Sequence, residues 1–422
     1  MFDDLTVQLL SRGYEALPRL WDKRYAQGDS PGSVRLAAPA RLMGHRALVV
    51  RGPEGAALFY DESLVERSGV VPKPLANLLF GPGAVHGLDG EPHRCRKDVF
   101  LGSWGAREVQ ELGDLVEAAL VHAVDTWPGR LPVRLHTEFA RVYGEAVLQW
   151  VGVEEDPGRA ALLSLDMARV VDGFGGSPVA YLRGVLARRR LDRWATGVVT
   201  DVRAGRRPLP ASGILRALAD GDGADLEASV AGVEMLNVLR PTVAVSWWGV
   251  YAAGAILSHP EHGRRLADGG AREARLAFAQ EVRRLAPFVP ALAGRLRRDL
   301  TWGGVTAAAG DRVVLDVPGI NRDPRAWPQP GAFLPARFVG VAPGPFDLVP
   351  QGGGPPRGHR CPGEDVALTI LDRTLLVLSR TGFSARGGPT RLHRIPAESP
   401  GGLMITEVGH LVTGSAPLPH PV

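Results

Sequence analysis

Apolar residues recur at helical spacing from the start of the chain. Leu5, Leu9, Leu10, Leu17 and Leu20 predict a helix over residues 5–26, broken or kinked at Pro18. The pattern changes over 35–51, where short apolar runs flank a Gly44-containing break and predict a hairpin in a small sheet. Pro53 suits the first turn of a helix ending near Tyr60. The segments 105–126, 139–152, 158–172, 183–204, 224–258 and 271–286 have helical length and composition, punctuated by Gly and Pro. Short strands are expected at 312–317 and 402–413. Residues 318–356 hold ten prolines, but Trp327, Phe333, Phe338 and Phe346 run through them. Aromatics at that density need burial, so an ordered coil packed on the helical body is expected, not a linker. No repeat of 20 to 50 residues is apparent. The expectation is one mainly α domain over 1–422, with a small β region at about 35–60 and the two late strands.

Composition narrows the class. Of 422 residues, 45% are apolar and 22% charged, which excludes a mainly disordered chain. The net charge is +4, from 49 basic and 45 acidic residues, and only Lys23, Lys73 and Lys97 among the bases are lysines. The densest basic run, Arg188-Arg189-Arg190, reads as a solvated face, and no nucleic-acid partner is expected. Cys95 and Cys361 cannot form a disulfide framework or a zinc pair, which fits a reducing compartment. Asp3 and Asp4 near the start, with no apolar signal core, suggest a cytoplasmic protein. The longest stretch free of charge, His and Pro, Thr242 to Ser258, falls short of the ~20 residues of a membrane span and reads as a buried helix. Cys95 is expected to be a small buried or half-exposed thiol with no role.

Three constellations carry candidate chemistry. The first runs from Gln351-Gly352-Gly353-Gly354 to His359-Arg360-Cys361-Pro362-Gly363-Glu364, just before a helical stretch. Glycines let a flat ligand approach the backbone, and a helix N-terminus favours a thiolate. Haem ligated by cysteine would use these features, and a buried structural cysteine would account for them as well. The second is Glu281 and Arg284, which share a helix face and in isolation amount to a weak pair. The third is Asn237-Val238-Leu239-Arg240-Pro241-Thr242-Val243-Ala244, an arginine in an apolar helix before a kinking proline. A buried arginine needs an anionic partner, and a protein carboxylate or a ligand carboxylate would serve equally.

Together these features resemble a cytochrome P450, with Pro335-Ala336-Arg337-Phe338 similar to the segment whose arginine joins the Glu–Arg pair. Glu281, Arg284 and Arg337 are then structural supports of the haem loop. Two departures from the general family stand out. The phenylalanine seven positions before the cysteine falls at Gly354, and Arg240-Pro241 replaces the usual acid–alcohol pair. Both are similar to the bacterial fatty-acid peroxygenase branch. So are Arg41-Leu42-Met43-Gly44, Leu79-Phe80-Gly81, Val85 to Gly90, His93 with Arg96-Lys97, and Gln351 to Gly354. The resemblance runs from about 5 to 410.

The resemblance implies the P450 fold, haem b with Cys361 as axial ligand to iron, and hydrogen peroxide as co-substrate, with no redox partner protein. It implies hydroxylation of fatty acids at the α or β carbon, with some decarboxylation to terminal alkenes. Arg240 would hold the fatty-acid carboxylate, which serves as general acid–base, and Pro241 would open space for it. Phe80, Phe174 and Phe288 would line the acyl channel. Arg67, His93, Lys97 and His359 would bind the cofactor at its propionate side. Members of the branch carry Gln or His at the place of His86, and an imidazole there would titrate near neutrality and favour decarboxylation. The competing expectations are an oxygen- and reductase-dependent monooxygenase, with Thr242 as the missing alcohol, and a haem sensor or lipid carrier without turnover.

Overall fold

A computed structural model describes residues 4–25, 35–388 and 390–409. The first helical segment is two helices, Leu5–Arg12 and Ala16–Tyr25, separated by a 3-10 turn over Gly13–Glu15. The break is at Gly13, with φ +54, and not at Pro18, which sits in the first turn of the second helix where its missing N–H costs nothing. The hairpin forms as expected. Strands Ala37–Leu42 and His45–Val50 pair antiparallel around Met43 and Gly44, both with positive φ.

The hairpin belongs to a five-stranded sheet. His45–Val50 runs parallel to Arg312–Asp316, which pairs antiparallel with Ala291–Leu296, and Val65–Glu66 completes the edge. Side-chain alternation buries both faces. Leu48, Val50, Val313 and Leu315 pack with Phe59 on one side. Ala47, Val49 and Val314 pack with Leu5, Leu17 and Trp21 on the other. The strand expected at 402–413 is shorter, Met404–Val408, and positions 410–413 lie outside the described residues.

The helices fall close to their expected positions: Ala106–Thr126, Leu135–Trp150, Pro157–Phe174, Pro178–Arg203, Ala228–Ser258 and Arg272–Leu285. Local signals explain two starts. Asp156 and Ser177 each cap the third residue of their helix, with a proline between, a pairing that favours helix initiation. The central helix, Ala228–Ser258, runs unbroken through Pro241 and packs against the Leu135–Trp150, Pro178–Arg203 and Glu364–Thr381 helices. The proline-rich stretch is ordered, with Trp327 and Phe338 buried beside Ala277 and Leu348. No helix among the described residues is long and apolar enough to cross a membrane.

The Arg188–Arg190 run is a solvated face only at Arg189 and Arg190, which are exposed. Arg188 is buried and paired with Asp192, and Arg190 forks onto Asp166. Cys95 is exposed rather than buried, and its thiol contacts Glu91 Oε1 at 3.5 Å.

Candidate haem and carboxylate site

A buried ion cluster holds the proline-rich segment that leads into the Cys361 loop. Arg284 forks onto Glu281 with both contacts at 2.8 Å, and neither side chain is exposed. Glu281 also accepts from the Leu334 N–H at 2.8 Å and from Arg337 at 3.3 Å. Arg284 donates further to the carbonyls of Asn321, Pro330 and Ala332. The pair is therefore no exposed helix pair. It pins the proline-rich segment to the Arg272–Leu285 helix with every donor used.

Gly352 and Gly354 adopt φ of +93° and +86°. A Cβ on Gly353 would meet the Pro345 carbonyl at 2.8 Å. The left-handed backbone at Gly354 accounts for a glycine where phenylalanine is usual. The Cys361 N–H donates to Gln351 O at 3.0 Å, and Gln351 Nε2 approaches Cys361 Sγ at 3.5 Å. Gln351 is held by Arg283, which also bonds Glu364 in the first turn of the Glu364–Thr381 helix. Burial pushes the Cys361 thiol up, against the Gly363 N–H and the charges of Lys97 and Arg283, and the net shift is upward. A coordinated metal ion deprotonates such a sulfur outright.

The Gly90–Leu101 helix carries His93 and Lys97 one turn apart, both buried. Lys97 donates to the Arg360 carbonyl. The rings of His93 and His359 lie 4.0 Å apart, and His359 Nε2 is 3.4 Å from Asp89 Oδ1. Asp89 stands at the N-cap position of this helix, but its carboxylate accepts from the Arg67 and Ser68 N–H groups instead. Arg67 lies over Phe59, 3.9 Å from its ring centre. Burial, with the neighbouring positive charges, lowers His93 to about 4, and burial lowers Lys97 to about 8. His93 Nδ1 is buried without a partner. The donors Arg67, His93, Lys97 and His359 would suit the acidic edge of haem, with Cys361 supplying the sulfur ligand, although Asp89 and Glu62 also lie beside the two histidines.

Arg240, on the central helix, is 7% exposed and lies near enough to Cys361 to interact with it electrostatically. Its Nη2 contacts Asn237 Oδ1 at 3.4 Å, and its Nε has no partner. No carboxylate pairs with Arg240 among the described residues. Burial first, then the Arg188 charge, lowers it to about 9, and Cys361 pulls the other way. It stays cationic at neutral pH. His86 follows Val85 in a one-turn 3-10 helix, Val85–Gly87, and its ring stacks on Phe80 at 4.2 Å. Burial and the charges of Arg240, Lys97, His359 and His93 lower His86 to about 3. His86 nonetheless keeps part of its surface exposed. The expectation that His86 titrates near neutrality is corrected: it is neutral throughout that range.

Phe174 ends its helix half-buried. Phe288 lies 4.2 Å from Trp248 and packs against Ala244 and Trp247, one to two turns beyond Arg240. Its other side borders a separate cleft with Tyr14 and Arg284, which contains neither Cys361 nor Arg240. Thr242 is buried, and its hydroxyl donates to the Val238 carbonyl at 2.8 Å, inside its own helix. Electrostatic coupling links these groups: Arg240, Lys97, His359 and His93 act on His86, and Cys361 acts on Lys97 and Arg240. Sequence reasoning assigned no role to Glu234, Asn237, Arg96 and Asp89. Polar residues spaced three apart at 234, 237 and 240, in an apolar helix, were the available signal.

Comparison with known proteins agrees with this geometry. Residues 276–378 match the family model described as Cytochrome P450. A solved structure of cytochrome P450SP alpha in complex with (R)-ibuprofen is 32% identical, with a TM-score of 0.89, over 97% of this chain and 99% of that one. A variant of cytochrome P450 OleT in complex with arachidonic acid is 27% identical with a TM-score of 0.89, over 98% of this chain and 100% of that one. Abscisic acid 8'-hydroxylase 3 of Oryza sativa subsp. japonica is 26% identical over 394 residues, 86% of this chain and 75% of that protein. With a cysteine loop, a buried Glu–Arg–Arg cluster and full-length likeness to a solved relative above 30% identity, the chain belongs to the cytochrome P450 family.

Proposed function

We propose that this protein is a hydrogen-peroxide-dependent fatty-acid hydroxylase acting at the α or β carbon, with some oxidative decarboxylation to terminal alkenes. The observation that carries the proposal is Arg240: a buried guanidinium with no carboxylate partner among the described residues, near enough to Cys361 to feel its charge. An unpaired buried charge costs several kcal/mol, roughly. A ligand carboxylate is the group that removes that cost, and guanidinium binds it in a fork. The bound arachidonic acid of the OleT structure and the bound ibuprofen of the P450SP alpha structure are both carboxylic acids.

Cys361 would hold haem through its sulfur, with Arg67, His93, Lys97 and His359 available to its propionates, and the bound group would supply peroxide activation and hydrogen-atom abstraction. The protein supplies position. Arg240 does not exchange its proton near neutrality, so the carboxylate it holds is the group that moves a proton between the two peroxide oxygens. Anchoring the carboxylate leaves the α and β carbons nearest the reacting centre. Pro241 cannot donate a backbone N–H and leaves that side of the helix open to ligand. Phe80, Phe174 and Phe288 offer apolar surface to the acyl chain. Peroxide brings both oxidising equivalents, so no redox partner is needed.

The Thr242 hydroxyl donates to the Val238 carbonyl, and one experiment separates the reductase-dependent alternative from the proposal. The test is haem-loaded protein with a saturated long-chain acid and hydrogen peroxide, without reductase, read by mass spectrometry. Hydroxy acids or an alkene one carbon shorter support the proposal. Absence of product, with an intact thiolate band under carbon monoxide, overturns it.

A further inference from the structure

Glu234 is wholly buried on the central helix, six positions before Arg240. Its Oε1 accepts from the Val85 N–H at 2.8 Å and from Arg96 Nη1 at 2.7 Å. Its Oε2 accepts from Asn237 Nδ2 at 3.1 Å, and Asn237 Oδ1 accepts from Arg240 Nη2 at 3.4 Å. One carboxylate thus ties together three segments. The Val85 bond fixes the backbone just before His86. Arg96 lies on the helix of His93 and Lys97. Asn237 reaches Arg240 at the next i, i+3 step on the same helix face.

The interposed amide has a chemical consequence. Its N–H side meets the carboxylate and its oxygen meets the guanidinium, so the network itself fixes which way Asn237 points. Glu234 is kept off Arg240, and its charge is matched by Arg96. Arg240 is therefore held in place without being neutralised, which leaves its charge for a ligand.

We propose that Glu234, through Asn237 and the Val85 N–H, is the positioning residue that sets Arg240 and His86 relative to one another. It thereby sets both acid affinity and the place of oxidation on the chain. This rests on the function proposed above.

The experiment uses the haem-loaded enzyme and myristate, with binding read by calorimetry and products by mass spectrometry. N237L removes the link to Arg240 but leaves Glu234 on Val85 and Arg96. It is expected to weaken myristate binding about tenfold, the scale of a lost bond to a charged group, with little change in product ratio. E234Q cannot accept from all three donors. It is expected to weaken binding and also to shift the α-to-β and alkene-to-hydroxy ratios. Both variants binding myristate within twofold of wild type, with unchanged products, overturns the inference, and N237L decides it if E234Q does not fold. R240A run in parallel separates the two claims. Loss of binding in R240A but not in N237L or E234Q sinks only the positioning role, whereas full binding by R240A sinks the carboxylate site as well.

Discussion

The imidazole of His86 lies face to face on the ring of Phe80, with centroids 4.2 Å apart and planes 15° from parallel. The stack is between two uncharged rings near neutrality, because burial, with the charges of Arg240 and Lys97, lowers His86 to about 3. If His86 meets the substrate, the proposed role is that of a neutral donor or acceptor, not of an imidazolium. H86Q, which keeps a donor and an acceptor but loses the stack, is expected to change the alkene-to-hydroxy ratio while leaving the peroxide requirement intact. Product analysis at constant conversion checks this, and an unchanged ratio would remove His86 from the account of product choice.

Replacing Arg240 by Ala should cost about 2–5 kcal/mol of acid binding, roughly thirtyfold to several thousandfold, the usual cost of truncating one partner of a buried charge pair. Lys should rescue only in part, since its point charge cannot fork onto a carboxylate. Titration of each variant with myristate measures the difference. Equal affinity in wild type and R240A would contradict the site.

The charge states fix the pH dependence. Acid binding needs an ionised carboxylate and a charged guanidinium. Binding should rise as pH passes the carboxyl range, about 4 to 5 by analogy with Glu. It should then hold through neutrality and fall as pH rises through about 9, where burial places Arg240. Stability runs the same way at the acid side. His136 and His86 are lowered to about 4 and about 3 by burial. Between these values and the unfolded value of 6.5 the unfolded chain binds more protons, so stability drops as pH falls below 6.5. Thermal melts between pH 4 and 8 test the sign, and higher melting temperatures at pH 5 than at pH 7 would contradict it.

Glu281 and Arg284 are buried completely and satisfied by each other, by Arg337 and by backbone. R284A strands a buried carboxylate and should cost about 3–5 kcal/mol. The expected result is low haem content and loss of the thiolate carbon monoxide band. Wild-type haem content in R284A would show that the cluster does not support the loop.

How much of this was legible follows from which features are local. The helices from 106 to 285 appear near their sequence positions because apolar periodicity, with Asp156-Pro157 and Ser177-Pro178 starts, is written within each segment. The sheet was only partly legible. His45–Val50 pairs with Arg312–Asp316 across more than 250 positions, and no local pattern reports such a partner. Gly13 overrode Pro18 as the break because a proline in a first turn is harmless, whereas a positive φ there ends the helix. In the site, Cys361 and Arg240 stood out by residue type. That Arg240 lacks a protein carboxylate, that Arg188 is buried behind it, and that His86 is neutral depend on burial and on neighbours from other segments.

The central claim is that the substrate's own carboxylate, held by Arg240, moves the peroxide proton. The most direct measurement compares peroxide-driven turnover of myristic acid with that of its methyl ester, and adds a short acid to a reaction on a small neutral aromatic substrate. The account predicts turnover of the acid, none of the ester, and oxidation of the aromatic only when the short acid is present and Arg240 is intact. Ester turnover at the rate of the acid, or aromatic oxidation indifferent to the short acid, would contradict it.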